Sequence, residues 1–178
     1  MEIRHHGQVE RPRRGQRRRL TGLRDGFIYA FRGGDSRDFC KFDVSADAWS
    51  SLSDTPGKVK YGGALVHGNV FIYALRGGDT KDFWKFYTSS EVWTTFPAAP
   101  ADVYRGGAIT YPGGFVYALR ADNIRSFWKF DVGAGGRLVL QGTPGDVYRG
   151  GGLTSIGSDV YGMRGDDTNS FWKVAVVL

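Results

Sequence analysis

The chain is predicted to be all-β, an array of about four antiparallel units of four strands each, and three observations carry that expectation. The first is a 44-residue repeat: FIYAFRGGDSRDFCKF from Phe27, FIYALRGGDTKDFWKF from Phe71, FVYALRADNIRSFWKF from Phe115 and VYGMRGDDTNSFWKV from Val160. The second is phase, since Arg32, Arg76, Arg120 and Arg164 share one position of the period and Tyr29, Tyr73, Tyr117 and Tyr161 another. The third is that all five tryptophans fall on two phases, Trp49 with Trp93 and Trp84 with Trp128 and Trp172. Self-similarity at a period in the forties, built from strand-like units, marks a radial β-array.

The unit that begins at Gly62 shows the elements in order. Gly62-Gly63-Ala64-Leu65-Val66-His67 is a short first strand of small and apolar residues, closed by a Gly68-Asn69 turn. Phe71 to Arg76 is an aromatic and β-branched run, the second strand. Gly77 to Asp82 is a polar loop that carries a Gly-Gly-Asp turn signal. Phe83 to Tyr87 forms the third strand, Thr88 to Glu91 turns the chain, and Val92 to Phe96 forms the fourth. Pro97 to Arg105 then leads to the next Gly-Gly pair. No stretch keeps a 3.6-residue apolar period over ten or more residues, so essentially no helix is expected.

Composition agrees with many short strands: glycine numbers 27 and aromatics reach 15%. No run of 18 apolar residues is present, so no membrane span is expected, and no secretory signal is visible, leaving the compartment open to a cell-surface or secreted parent protein. The lone Cys40 excludes an intrachain disulfide. The net charge of +6 is concentrated in residues 1–19, where seven arginines face Glu2 and Glu10. This segment reads as a disordered tail or a decayed repeat, because Pro12 is in phase with Pro56, Pro100 and Pro144. It lacks aromatics interleaved for base stacking, so a nucleic-acid partner is not expected. The remaining chain, residues 20–178, divides into units of about 20–61, 62–105, 106–149 and 150–178.

Four strands per unit joined by short hairpins describe a propeller blade. The Gly-Gly doublet, the Tyr-Ala-Leu-Arg-Gly-Gly strand end, the Phe-Trp-Lys-Phe-Asp strand, the spaced tryptophans and the Pro-containing link resemble kelch-type β-propeller repeats, closest to bacterial and archaeal variants in surface proteins. The resemblance covers about residues 20–178 and implies a kelch-like β-propeller that binds protein or glycan, with enzymes hosted only occasionally. Departures mark the ends and one interior strand. Arg137 stands where a third fourth-strand tryptophan is due, so that strand is expected to have drifted, and Cys40 replaces a third-strand tryptophan. The first unit carries Arg18 and Arg19 in place of the Gly-Gly pair and lacks a good inner strand, and the last lacks a fourth strand.

Propeller geometry places the loops between second and third strands on the same face as the interblade links. Candidate ligand-binding residues on that face are Tyr61, Tyr104, Arg105, Tyr148, Arg149, Asp79, Lys81, Asp122 and Asp166, with Asp35, Lys58 and Lys60 nearby. Tyrosine and arginine around a concave centre suit a peptide or sugar. Residues repeated in every unit read instead as structural: the five tryptophans as packing between units, and Arg32, Arg76, Arg120 and Arg164 as hydrogen bonds between units or ion pairs with loop aspartates.

Other motifs carry little. Arg164-Gly165-Asp166 sits in the phase of Arg-Gly-Gly-Asp elsewhere and needs no adhesive role. Asp166 to Asn169 lacks the frame of a calcium loop, and three histidines with one cysteine make no zinc pattern, so no metal and no cofactor are expected. A Ser/His/Asp triad would have to recruit His67, which its phase puts on an inner strand as a buried, satisfied histidine. A copper-radical centre would require a Cys-Tyr cross-link, and Cys40 occupies a tryptophan phase. The leading expectation is therefore a non-enzymatic binding module, with possible self-association through open blade edges. The alternatives are a fragment of a longer propeller without independent activity, and a lyase or hydrolase that uses the central Tyr, Arg and Asp groups.

Overall fold

Alternating aromatic and β-branched runs, cut by turn residues, fold as fifteen strands in four antiparallel sheets, with no helix among the described residues. The computed structural model describes residues 19–20, 25–165 and 168–174; the arginine-rich segment up to residue 18 lies outside them. The first sheet holds β1 (Arg19–Leu20), β2 (Phe27–Phe31), β3 (Phe39–Asp43) and β4 (Ala48–Ser51). The second holds β5 (Ala64–Gly68), β6 (Phe71–Leu75), β7 (Phe83–Tyr87) and β8 (Val92–Thr95). The third holds β9 (Ala108–Thr110), β10 (Phe115–Leu119), β11 (Phe127–Asp131) and β12 (Arg137–Val139). The fourth comprises β13 (Gly152–Ile156), β14 (Asp159–Met163) and β15 (Phe171–Val174). No helix in the described residues is long and apolar enough to cross a membrane.

Each sheet is a meander, with strands adjacent in sequence paired in space. The first strands of successive sheets are neighbours in order, β1 beside β5, β5 beside β9 and β9 beside β13. Register repeats with the period: Ala64 pairs with Leu75, Ala108 with Leu119 and Gly152 with Met163. The two-residue β1 departs by one position, because Leu20 pairs with Ala30 and Arg19 with Phe31. The offset accompanies the loss of the Gly-Gly pair there.

The expected drift of the strand at Arg137 is overturned. Arg137 pairs with Phe130 as Trp93 pairs with Phe86 and Trp49 with Phe42. Backbone pairing and the preceding turn hold the register. In that turn Asp131 Oδ1 accepts the amide N–H groups of Gly133 and Ala134, just as Asp43 Oδ1 accepts those of Ser45 and Ala46. The Arg137 side chain also does the tryptophan's polar work: its guanidinium donates to the Ala98 carbonyl, as Trp93 Nε1 donates to the Ser53 carbonyl at 3.1 Å.

The core lies between sheets rather than inside one layer. Tyr29, Phe31 and Phe39 of the first sheet meet Ile72, Ala74, Trp84 and Phe86 of the second. Tyr73, Leu75 and Phe83 of the second meet Val116, Ala118, Trp128 and Phe130 of the third. Tyr117, Leu119 and Phe127 of the third meet Val160, with Leu153 and Trp172 packed alongside. A strand covered on both faces gains from apolar residues at every position, which is why Phe-Ile-Tyr-Ala-Leu is a continuous run and not an alternation.

Candidate functional site

The loops between second and third strands are tied to the links that lead to the next sheet. Ser36 pairs with Val59, Thr80 with Val103 and Ile124 with Val147, each as an isolated antiparallel bridge, and the three valines are fully buried. Beyond each valine the link runs Lys60-Tyr61, Tyr104-Arg105 or Tyr148-Arg149 into a glycine pair. Gly62 and Gly106 have φ of +74° and +93°, and a Cβ at either would overlap the carbonyl oxygen of the next link, Tyr104 or Tyr148 respectively. A Cβ at Gly107 would lie 2.7 Å from the Gly62 carbonyl oxygen. The doublet is therefore the residue pair that lets the backbones of successive sheets meet closely.

Where they meet, a cavity of about 660 Å³ is lined by Lys60, Tyr61, Arg105, Arg149, Asp35 and the first glycine of each doublet. Tyr61, Arg105 and Arg149 share one phase of the repeat, so three successive links deliver the same position to one cavity. Tyr61 is exposed, and the Arg105 guanidinium lies over its ring at 4.2 Å from the centroid. Lys60 Nζ is 3.8 Å from Asp35 Oδ1. With Lys60 balanced by Asp35, the positive charge of Arg105 and Arg149 is left to define the electrostatics of the lining.

Tyr104 and Tyr148 stand one position earlier, in phase with Lys60, and do something else. The Arg120 guanidinium lies 5.4 Å from the Tyr104 ring centroid and that of Arg164 lies 5.1 Å from Tyr148. These arginines also bind backbone across the sheet junction. Arg76 Nε donates to the Lys58 carbonyl at 3.0 Å, Arg120 Nε to Asp102 at 2.8 Å and Arg164 Nε to Asp146 at 3.0 Å. Arg32 and Arg76 each reach an aspartate of their own loop, Asp38 at 2.7 Å and Asp82 at 2.8 Å. In the third and fourth units Ser126 and Ser170 replace those aspartates.

Of the candidate ligand-binding residues, the cavity thus collects Tyr61, Arg105 and Arg149, and adds Asp35 and Lys60. Tyr104, Tyr148, Asp79, Lys81 and Asp122 are outside its lining. Asp79 and Asp122 are exposed with left-handed φ of 62° and 76°, and the Lys81 carbonyl accepts the Ala99 amide at 2.9 Å. Asp166 and Asp167 fall outside the described residues. Among the tryptophans, Trp84 and Trp128 are buried, while Trp49, Trp93 and Trp172 are half-buried. His67 is on β5 but only half-buried, 6.3 Å between ring centroids from Tyr29, which corrects the expectation of a fully buried histidine. Cys40 sits in β3, paired with Ala30 in the tryptophan register, its thiol 3.5 Å from the Ala30 carbonyl. Among the described residues no three His, Cys, Asp or Glu side chains are grouped to hold a metal ion.

What the sequence reading missed was the split between adjacent link positions. Grouping by residue type joined Tyr61 to Tyr104 and Tyr148, whereas grouping by phase joins Tyr61 to Arg105 and Arg149 and separates the lining from the stacking residues.

No protein-family model and no curated protein matches the chain. Among solved structures, that of YjhT superposes with a TM-score of 0.71 at 15% identity, over 91% of this chain and 66% of the other. The chain therefore spans just under two thirds of that protein, and the likeness is one of fold.

Proposed function

We propose that the four sheets are consecutive blades of a kelch-like β-propeller, and that the chain is a non-enzymatic binding module whose axial cavity receives an acidic group of a protein or glycan ligand. The ordered neighbourhood of β1, β5, β9 and β13 supports the blade arrangement. The observation that carries the binding reading is the set Tyr61, Arg105 and Arg149, brought by one repeat position to a cavity of about 660 Å³. That volume is within the range of small-ligand clefts. Arginine forks pair with carboxylates bidentately, and an exposed tyrosine offers a flat face for an apolar edge or a sugar ring. The rigid junctions beneath, built on buried valines and glycine contacts, hold these side chains without loop closure.

Calorimetric titration of a panel of acidic peptides and acidic oligosaccharides tests the reading. A ligand bound by the intact chain is expected to lose about tenfold or more in affinity with either Arg105→Ala or Arg149→Ala, since a hydrogen bond to a charged group contributes about 1.5–3 kcal/mol. Equal binding by the Arg105→Ala/Arg149→Ala double variant would remove the cavity from the reading.

A further inference from the structure

Each link that enters the cavity does so on a tight turn of one kind. Gly63 N–H donates to the Lys60 carbonyl at 3.2 Å, and Gly107 and Gly151 donate to Tyr104 and Tyr148, both at 3.1 Å. The third position of each turn is the first glycine of a doublet, with φ of +74° at Gly62, +93° at Gly106 and +82° at Gly150. Tyr61, Arg105 and Arg149, at the second position, are not among the residues of positive φ. A hydrogen-bonded turn with those signs is of type II. Its second residue stands at the tip, which is how one repeat position is carried to the cavity three times.

The turn also orients its central peptide. The Tyr61 carbonyl accepts the Gly78 amide at 2.8 Å, on the side of the loop between second and third strands. A Cβ at Gly77 would lie 2.2 Å from that carbonyl oxygen, and one at Gly165 would lie 2.4 Å from the carbonyl oxygen of Arg149, so the two peptides face their loops alike. In a trans peptide the N–H points opposite the C=O, and the Gly62 and Gly150 amides therefore turn away from those loops. Gly62, Gly106 and Gly150 all line the cavity, and none of their amides donates to another described residue. Gly62 and Gly106 are buried, where a backbone donor ordinarily has a partner. The charge is unmatched in the same place. Asp35 is the one carboxylate of the described lining and faces Lys60 at 3.8 Å, which leaves the charges of Arg105 and Arg149 without an acidic counterpart there.

We propose that the cavity holds a phosphate monoester, its terminal oxygens taken by the amides of Gly62, Gly106 and Gly150 and its charge by Arg105 and Arg149. A phosphate monoester carries close to two negative charges and three strong acceptor oxygens at neutral pH. Turn amides and arginine forks are the groups that bind it. A carboxylate offers one charge and two oxygens, and would leave an arginine and an amide unmatched. The proposal rests on the reading of the cavity as a site for an acidic group and narrows that reading to one chemistry, whether a sugar or a peptide side chain bears the phosphoryl group.

Calorimetric titration of the full chain at neutral pH tests it with glucose phosphate, glucose sulfate and glucuronate, each acidic at its terminal carbon. The phosphate is expected to bind about tenfold or more tighter than either of the others, the worth of one further charge-assisted hydrogen bond. Phosphoserine, acetylated and amidated, is titrated beside it: tighter binding of glucose phosphate assigns a sugar phosphate, and tighter binding of phosphoserine assigns a peptide. Amide NMR spectra with glycine-selective labelling supply a readout that needs no variant. The signals of Gly62, Gly106 and Gly150 are expected to move downfield along the same binding curve. Equal affinity for the three sugars, no binding of either phosphate ester at millimolar concentration, or binding that leaves the three glycine signals in place overturns the proposal. The broader reading outlives that result where a carboxylate ligand still loses affinity in the Arg105→Ala/Arg149→Ala double variant, and falls with it where that variant binds unchanged.

Discussion

The second and fourth sheets put the same residues to different use. Phe83 and Phe171 begin the same third-strand motif, yet Phe83 is 1% exposed against Phe130 of the next sheet and Phe171 looks outward. Leu75 and Met163 show the same contrast. Nothing inside the two sheets explains it, since pairing runs in the same register from Phe83 opposite Leu75 to Phe171 opposite Met163. A repeat residue therefore has its energetic role through the neighbouring sheet, as expected where each unit can bury its apolar face only by stacking.

The comparison breaks most directly by truncation. Phe83→Ala is expected to lower unfolding free energy by about 3–5 kcal/mol, and Phe171→Ala to change it by only about 0.5 kcal/mol or less. Urea titration of the two variants reads the difference. Arg120→Gln comes next at about 1–2 kcal/mol, because it strips a donor from the Asp102 carbonyl and uncovers Tyr104, whereas Arg32→Gln, whose ion pair with Asp38 is half exposed, costs less than about 1 kcal/mol by the same titration. Arg137→Trp sharpens the register argument: the retained pairing with Phe130 predicts a tolerated substitution worth roughly 0.5–1.5 kcal/mol of added stability from aromatic contact with the second sheet.

The last expectation has no effect near neutrality. Burial raises the phenol pKa of Tyr73 to about 12, and those of Tyr29 and Tyr117 upward, because the charged form is disfavoured away from water. The folded chain thus holds these protons more tightly than the unfolded chain, whose tyrosines titrate near 10. Their contribution is fully present below about pH 10 and is lost as pH rises from there toward 12. Unfolding followed across that window should show stability falling, with less of a fall in Tyr73→Phe.

Much of this was legible in the residues. Phe71 to Arg76, Phe83 to Tyr87 and Val92 to Phe96 became strands within a residue of their expected ends, because aromatic and β-branched residues fill each run and turn residues bound them. The expectation of drift rests on Arg137 standing where a tryptophan is due, whereas register is set by backbone pairing and tolerates an unusual side chain. The cavity was half legible: Tyr61, Arg105 and Arg149 were singled out, but residue type hid the phase that separates them from Tyr104 and Tyr148. Which sheet faces lack a neighbour is a property of the array, and a single unit's sequence does not carry it.

Hydrogen exchange read by mass spectrometry tests the central claim most directly, that each sheet is stabilised by the one that follows it. Strands β6, β7, β10 and β11, whose core residues are buried, should hold their amide protons longest. Strands β14 and β15, where Met163 and Phe171 are exposed, should exchange faster. Protection of β14 and β15 equal to that of β6 and β7 would contradict the account.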